Sequence, residues 1–148
     1  MTNIWDTSAL IRRYLTAEPA ADRVRQAFQP SRGDTHIISR LVPTEVASAL
    51  ALRVRTGSLT LMERNALWSV FLTHLSSQYE LVEFLEPIWA LSQDLVFQHA
   101  LRAGDALHVA VALFLQSQSS GFEATFWTAD RQQARAGRDE GLAVEFLA

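Results

Sequence analysis

The chain has 148 residues, a formal net charge of -3 and no cysteine. That length predicts one domain over residues 1–148, large enough to hold a core without a disulfide or a structural metal. Disulfide scaffolds, thiolate zinc sites and cysteine nucleophiles are excluded together. The weakly acidic balance does not advertise nucleic-acid binding. All 13 basic residues are arginine, whose planar fork of donors suits phosphate and carboxylate partners alike, although a GC-rich genome gives the same bias. The start, Met-Thr-Asn-Ile-Trp-Asp, lacks the charged and apolar regions of a secretory signal. The longest apolar run, Ala106 to Leu115, is too short to span a bilayer. A soluble, cytoplasmic protein is the expectation.

Taken in chain order, Thr2 to Trp5 leans towards a strand that ends at Asp6. Helical text runs from Ser8 to Leu15, and Pro19 suits the first turn of a second helix reaching Phe28. Gln29 to Gly33 is a loop by composition, and Thr35 to Ser39 is a β-branched strand. Pro43 opens a helix with Val46, Ala49, Leu50 and Val54 at helical spacing, ended by Gly57. Leu59 to Leu75 reads as its partner in a helical hairpin. Tyr79 to Val82 is a third strand, and a helix runs from Pro87 to Leu101. Gly104 reads as a break, after which Asp105 starts an apolar helix to Gln116. A strand at Ala124 to Trp127, a polar helix to Gly137 and a strand at Leu142 to Leu147 complete the chain.

Strands separated by helices predict an α/β fold with a mainly parallel sheet of four or five strands. Such sheets bind ligands beyond the carboxyl ends of their strands. Asp6 and Asp130 follow strands, Glu45 lies in the first turn of a helix after a strand, and Asp105 opens its own helix. Taken singly, each acid is explained as a helix cap or as a charge suited to a helix N-terminus. Together they form a candidate site. The helix after Asp105 is apolar almost all round, so a charge at its mouth needs pairing, water or a metal.

Asp-Thr-Ser-Ala-Leu at 6–10, Glu-Val-Ala-Ser-Ala-Leu at 45–50, Asp-Ala-Leu-His-Val-Ala at 105–110 and Thr-Ala-Asp at 128–130 resemble the PIN-domain nucleases, most of all the VapC-type toxins of bacterial toxin–antitoxin pairs. The resemblance spans essentially the whole chain. It implies metal-binding acids at Asp6, Glu45, Asp105 and Asp130, a hydroxyl at Thr128, and RNA cleavage leaving a 5′-phosphate and a 3′-hydroxyl. It also implies a homodimer bound by a cognate antitoxin. Trp5 and Trp127 are bulkier than the family pattern and are expected to narrow the rim of the site.

Carboxylate oxygens without cysteine favour Mg2+ or Mn2+ over zinc. Four clustered carboxylates repel one another, so at least one should have a raised pKa. The expected chemistry is hydrolysis of an RNA phosphodiester. Asp6 and Asp105 act as direct ligands, Glu45 and Asp130 bind directly or through water, and Thr7 and Thr128 orient them. Arg131, Arg135 and Arg138 share a helix face after Asp130, Arg12 and Arg13 follow Asp6, and Arg102 precedes Asp105. These arginines are candidates for gripping RNA phosphates, against the alternative of ordinary surface ion pairs. His36, His74 and His99 are scattered, and His108 reads as a hydrogen-bonded core residue. Asp139 and Glu140 read as surface charge. The Leu-, Val- and Trp-containing hairpin from Val46 to Leu75 is a candidate interface. Three rivals remain: a phosphatase with Asp6 as nucleophile, a receiver-like domain, and a PIN fold serving only as an interaction module. Ser8 in place of a second Asp disfavours the first, and the lack of lysine disfavours the second. The four acids together disfavour the third.

Overall fold

In the computed structural model, which describes residues 1–148, the first strand β1 (Thr2–Trp5) lies at the centre of a five-stranded sheet. The other strands are β2 (Thr35–Ser39), β3 (Glu80–Val82), β4 (Ala124–Thr128) and β5 (Ala143–Phe146), in the order β3-β2-β1-β4-β5. Every pairing is parallel. Trp5 stands in register with Ile38 on one side and Trp127 on the other. The chain builds outwards from β1 to β3, then returns to the far side of β1 with β4 and β5. The strand order therefore reverses between β1 and β4, where open α/β sheets make their ligand crevice.

Seven helices cover the sheet: α1 (Thr7–Leu10), α2 (Ala21–Ala27), α3 (Val42–Arg55), α4 (Leu61–Ser77), α5 (Glu86–Gln98), α6 (Ala103–Ser117) and α7 (Arg131–Asp139). Side chains alternate across a strand, so adjacent residues feed different cores. Trp5 and Ile38 pack with Leu10, Val24, Val46, Leu50 and Phe71 of the first four helices. Ile4, Ile37 and Phe126 pack with Ile88 and Leu95 of α5 and with the Val/Ala face of α6. Both sheet faces are covered, which is why the strands carry almost unbroken apolar text.

Element boundaries differ from the sequence expectation where local geometry intervenes. The helix expected over Ser8–Leu15 is α1 followed by a 3-10 turn at Ile11–Arg13. Ala20 sits at φ 62 in the left-handed region, so α2 begins after it rather than at Pro19. Thr60 and Glu63 form a capping box that starts α4 two residues later than expected. Gly104 is no break: it lies inside the first turn of α6, and the chain leaves helix at His99–Arg102 instead. Trp5 and Trp127 stack at 4.6 Å in the core beneath the first four helices. They do not reach the pocket that holds the acids. No helix is long and apolar enough to cross a membrane.

Candidate active site

Four elements deliver the four acids to one cavity of about 300 Å3, lined also by Thr7, Ser8, Ser48 and Arg102. Asp6 follows β1 as the N-cap of α1, Glu45 lies in the first turn of α3, Asp105 in the first turn of α6, and Asp130 follows β4 as the N-cap of α7. The capping explanation also holds for two of them. Asp6 accepts from the Ser8 N–H at 2.9 Å and Asp130 from the Gln133 N–H at 2.8 Å. A cap engages only part of a carboxylate, and the remaining lone pairs decide what else it can do.

The hydrogen-bond inventory is asymmetric within each acid. Asp6 Oδ2 is filled by the backbone N–H and the hydroxyl of Ser8. Asp6 Oδ1 accepts from Gln133 Nε2 at 3.0 Å and keeps a lone pair. Glu45 Oε1 accepts from Thr7 Oγ1 at 2.8 Å and from His108 Nε2 at 2.5 Å, leaving Oε2 free. Asp105 Oδ2 faces Arg102 Nε at 3.3 Å, and its Oδ1 is unengaged. Asp130 uses Oδ1 for its cap and keeps Oδ2. No buried side-chain oxygen or nitrogen lacks a partner, so the unengaged oxygens of Glu45, Asp105 and Asp130 are not sealed in.

Electrostatics follow from that arrangement. Burial raises the pKa of Asp105, and the charges of Asp6 and Asp130 add to the rise while Arg102 opposes it. Burial also works against the ionised forms of Glu45 and His108, but their mutual hydrogen bond and charges win. Glu45 ends below its ordinary value and His108 above it, the latter raised first by the charge of Asp6 and then by Glu45. His108 is 2% exposed and its Nε2 also lies 3.5 Å from Asp6 Oδ1. Its Nδ1 meets Ser39 Oγ at 3.3 Å, so Nε2 carries a proton towards the carboxylates in either charge state.

The donor set fits a hard divalent cation. All spare atoms are carboxylate oxygens, the type Mg2+ and Mn2+ prefer. No group of three or more His, Asp or Glu side chains is arranged to hold a metal ion by itself. A cation here would be held by one or two carboxylates with water completing its shell, a mode open to Mg2+. The residues of the site therefore fit the group.

Other candidates scatter. Arg102, its side chain 88% exposed, stays at the cavity mouth. Arg131, Arg135 and Arg138 are exposed on α7, with no ion pair to any acid. Arg135 borders a neighbouring cavity with Gln98, His99 and Gln132. Arg12 instead bonds the Pro19 carbonyl, and Arg13 lies 3.9 Å over Phe28 while donating to Tyr79 and Gln78. Both are turned away from the acids by the 3-10 turn. His36 and His74 belong to that same aromatic region, and His99 pairs with Glu140 at 2.9 Å. Thr128 is fully buried, donating to Gln133 Oε1 and accepting from the Asp130 N–H. Sequence reasoning passed over Ser8, Gln133 and the link from His108 to Glu45. A signal existed for two of them. His108 lies three residues after Asp105, on the same helix face, and Gln133 stands three after its cap Asp130, the capping-box spacing.

The family model for the PIN domain matches residues 4–139. The chain belongs to the PIN domain family. Among solved structures this PIN domain is similar to VapBC2 from Rickettsia felis bound to a DNA fragment from their promoter, at TM-score 0.67 and 15% identity, covering 100% of each chain. It is similar to VapBC-1 from nontypeable Haemophilus influenzae at TM-score 0.61 and 16% identity, covering 99% and 98%. A third likeness is to FitAcB from Neisseria gonorrhoeae, at TM-score 0.62 and 18% identity, covering 97% and 96%. At such identities these three speak for the fold of the PIN domain alone. No curated protein sequence matches the chain.

Proposed function

We propose that this PIN domain is a divalent-cation-dependent endoribonuclease and the toxin of a type II toxin–antitoxin pair. The observation that carries the reading is the convergence of Asp6, Glu45, Asp105 and Asp130 on one cavity, the last three each with an oxygen that has no hydrogen-bond partner. Asp6 and Asp105 would hold the ion directly, and Glu45 and Asp130 would hold it directly or through water. When bound, Mg2+ or Mn2+ lowers the pKa of an attacking water and neutralises charge on the phosphate. Thr7 and His108 fix Glu45, Ser8 fixes Asp6, and Thr128 fixes the turn that carries Asp130. Arg102 at the mouth, with Arg131 and Arg135 beyond it, offers phosphate contacts on the flanks of the cut bond. Arg12 and Arg13 have less support, because both are engaged elsewhere.

An antitoxin partner is supported by the likeness to structures named VapBC, and the homodimer rests on the resemblance to VapC-type toxins alone. Exposed Leu61, Met62, Val70 and Leu72 on α4, and Trp89 and Phe97 on α5, supply apolar surface for such partners. The phosphatase alternative has less support, since Ser8 stands where that reading wants a second Asp two residues after Asp6.

The test is incubation of purified protein with structured RNAs, with Mg2+ or with chelator, beside Asp6→Asn. Asparagine keeps the helix cap but halves the oxygen donors. Cleavage that needs Mg2+, leaves 5′-phosphates and falls at least ~100-fold in the variant is the expected result. Equal cleavage by both proteins would mark a contaminant and end the reading.

A further inference from the structure

At position 133 a neutral amide is completely buried, on a helix face otherwise made of Ala134, Ala136 and Gly137. Burying an amide is unfavourable unless each of its polar atoms is bonded, and here they all are. One Nε2 hydrogen goes to Asp6 Oδ1 at 3.0 Å and the other to the Asp105 carbonyl at 3.2 Å. Oε1 accepts from Thr128 Oγ1 at 2.6 Å, and the backbone N–H caps onto Asp130 Oδ1 at 2.8 Å. The orientation of the amide is unambiguous, because the flipped form would set its oxygen against a carboxylate and a carbonyl. One side chain thus ties together the elements that carry the first, third and fourth acids.

Resting on the divalent-cation reading, we propose that Gln133 is a positioning residue that sets the spacing of Asp6, Asp105 and Asp130 for cation binding. The chemistry of the side chain suits that task. Glutamate would add a fifth negative charge, and arginine would cancel one and compete with the ion. An amide donates to a carboxylate oxygen while leaving its charge available, and it is uncharged at every pH. A methionine or leucine would fill the space at lower desolvation cost but would tie nothing.

The experiment is titration of the full chain with Mn2+, following free ion by electron paramagnetic resonance, well below the unfolding midpoint. Gln133→Met removes both ends of the tie at similar volume. Gln133→Asn keeps an amide too short to reach Asp6, and carries the test if the methionine variant does not fold. Ala136→Gly, one turn along α7 and outside the acid cavity, serves as the control for plain helix destabilisation. Both Gln133 variants are expected to bind Mn2+ about 10- to 100-fold more weakly, while Ala136→Gly unfolds at lower temperature with unchanged Mn2+ affinity. A Gln133 variant that folds and binds Mn2+ within twofold of the wild type overturns the proposal and leaves the residue a structural one. Absence of saturable binding to the wild-type chain would instead overturn the cation reading itself, and this proposal with it.

Discussion

Beside α4 the hydroxyls of Tyr14 and Tyr79 meet at 2.5 Å, and His74 Nδ1 and the Arg13 guanidinium close around them, each at 2.8 Å. The same arginine covers Phe28, which stacks on His36 at 3.9 Å, and the Trp5 indole donates to the His36 ring. At the carboxyl edge of the sheet, four carboxylates instead keep oxygens in reserve and lean on one another. Both are clusters of polar groups set among apolar packing, but one is saturated by its own members and the other is not. Burial pushes the Tyr79 and Tyr14 hydroxyls up, which keeps that cluster neutral apart from Arg13. The acid cluster keeps like charges together. Closure marks scaffold, whereas unspent valence turned towards a cavity marks a place built to receive something.

The largest effect that would break this contrast is at Asp105. Its folded pKa lies above the unfolded value because of burial and the Asp6 and Asp130 charges. The folded state therefore holds the proton more tightly, so stability falls as pH rises from the unfolded pKa through the folded one, and the full loss persists above it. Asp105→Asn removes that repulsion. RNA cleavage should fall on the order of 1000-fold, while thermal unfolding without divalent ion, at neutral pH, moves to higher temperature. A variant both inactive and less stable would place Asp105 with the scaffold.

Next in size is Phe28→Ala in the closed cluster, which strips contacts from Trp5, His36, Tyr79 and Arg13. A cost of about 3 kcal/mol is expected, at the low end for such a truncation because the ring is part-exposed. Denaturant unfolding measures it. Cleavage per folded molecule should stay within about twofold, and a larger loss would mean the two clusters are coupled.

The smallest effect is one of pH. Burial lowers His36 from 6.5 to about 4, with Arg13 and Arg32 helping and Asp34 opposing. The unfolded chain binds a proton that the folded one refuses, so stability falls as pH drops through 6.5 and levels off near 4. The share due to His36 is about 2–3 kcal/mol. His36→Asn keeps an acceptor for the Trp5 indole and should flatten that slope in unfolding curves taken from pH 7 to 4.5. An unchanged slope would assign the acid sensitivity to carboxylates alone.

Much of this was legible in the sequence, for a local reason. Strand β2 carries β-branched text bounded by turn residues, and β1 and β4 end at an aspartate, so their positions survive folding almost unshifted. The acids were marked by lying at element ends, which the order of strands gathers. What escaped depends on register between distant segments. Gln133 reaches Asp6 across 127 positions, and His108 reaches Glu45 across 63. Arg13 was weighed as an RNA contact because it follows Asp6, but the 3-10 turn sends it to Phe28 and Tyr79. Trp5 and Trp127 suggest a narrowed rim because they are bulkier than the family pattern, yet both rings stack inside the core beneath the first four helices.

The central seat of β1 has a consequence in time. Asp6 precedes by more than a hundred residues both the strand that flanks it on its second side and the helix bearing Gln133. Asp6, Glu45 and Asp105 are therefore all made before the segments that complete their surroundings. The four-acid cavity closes only when β4 and α7 have joined the sheet.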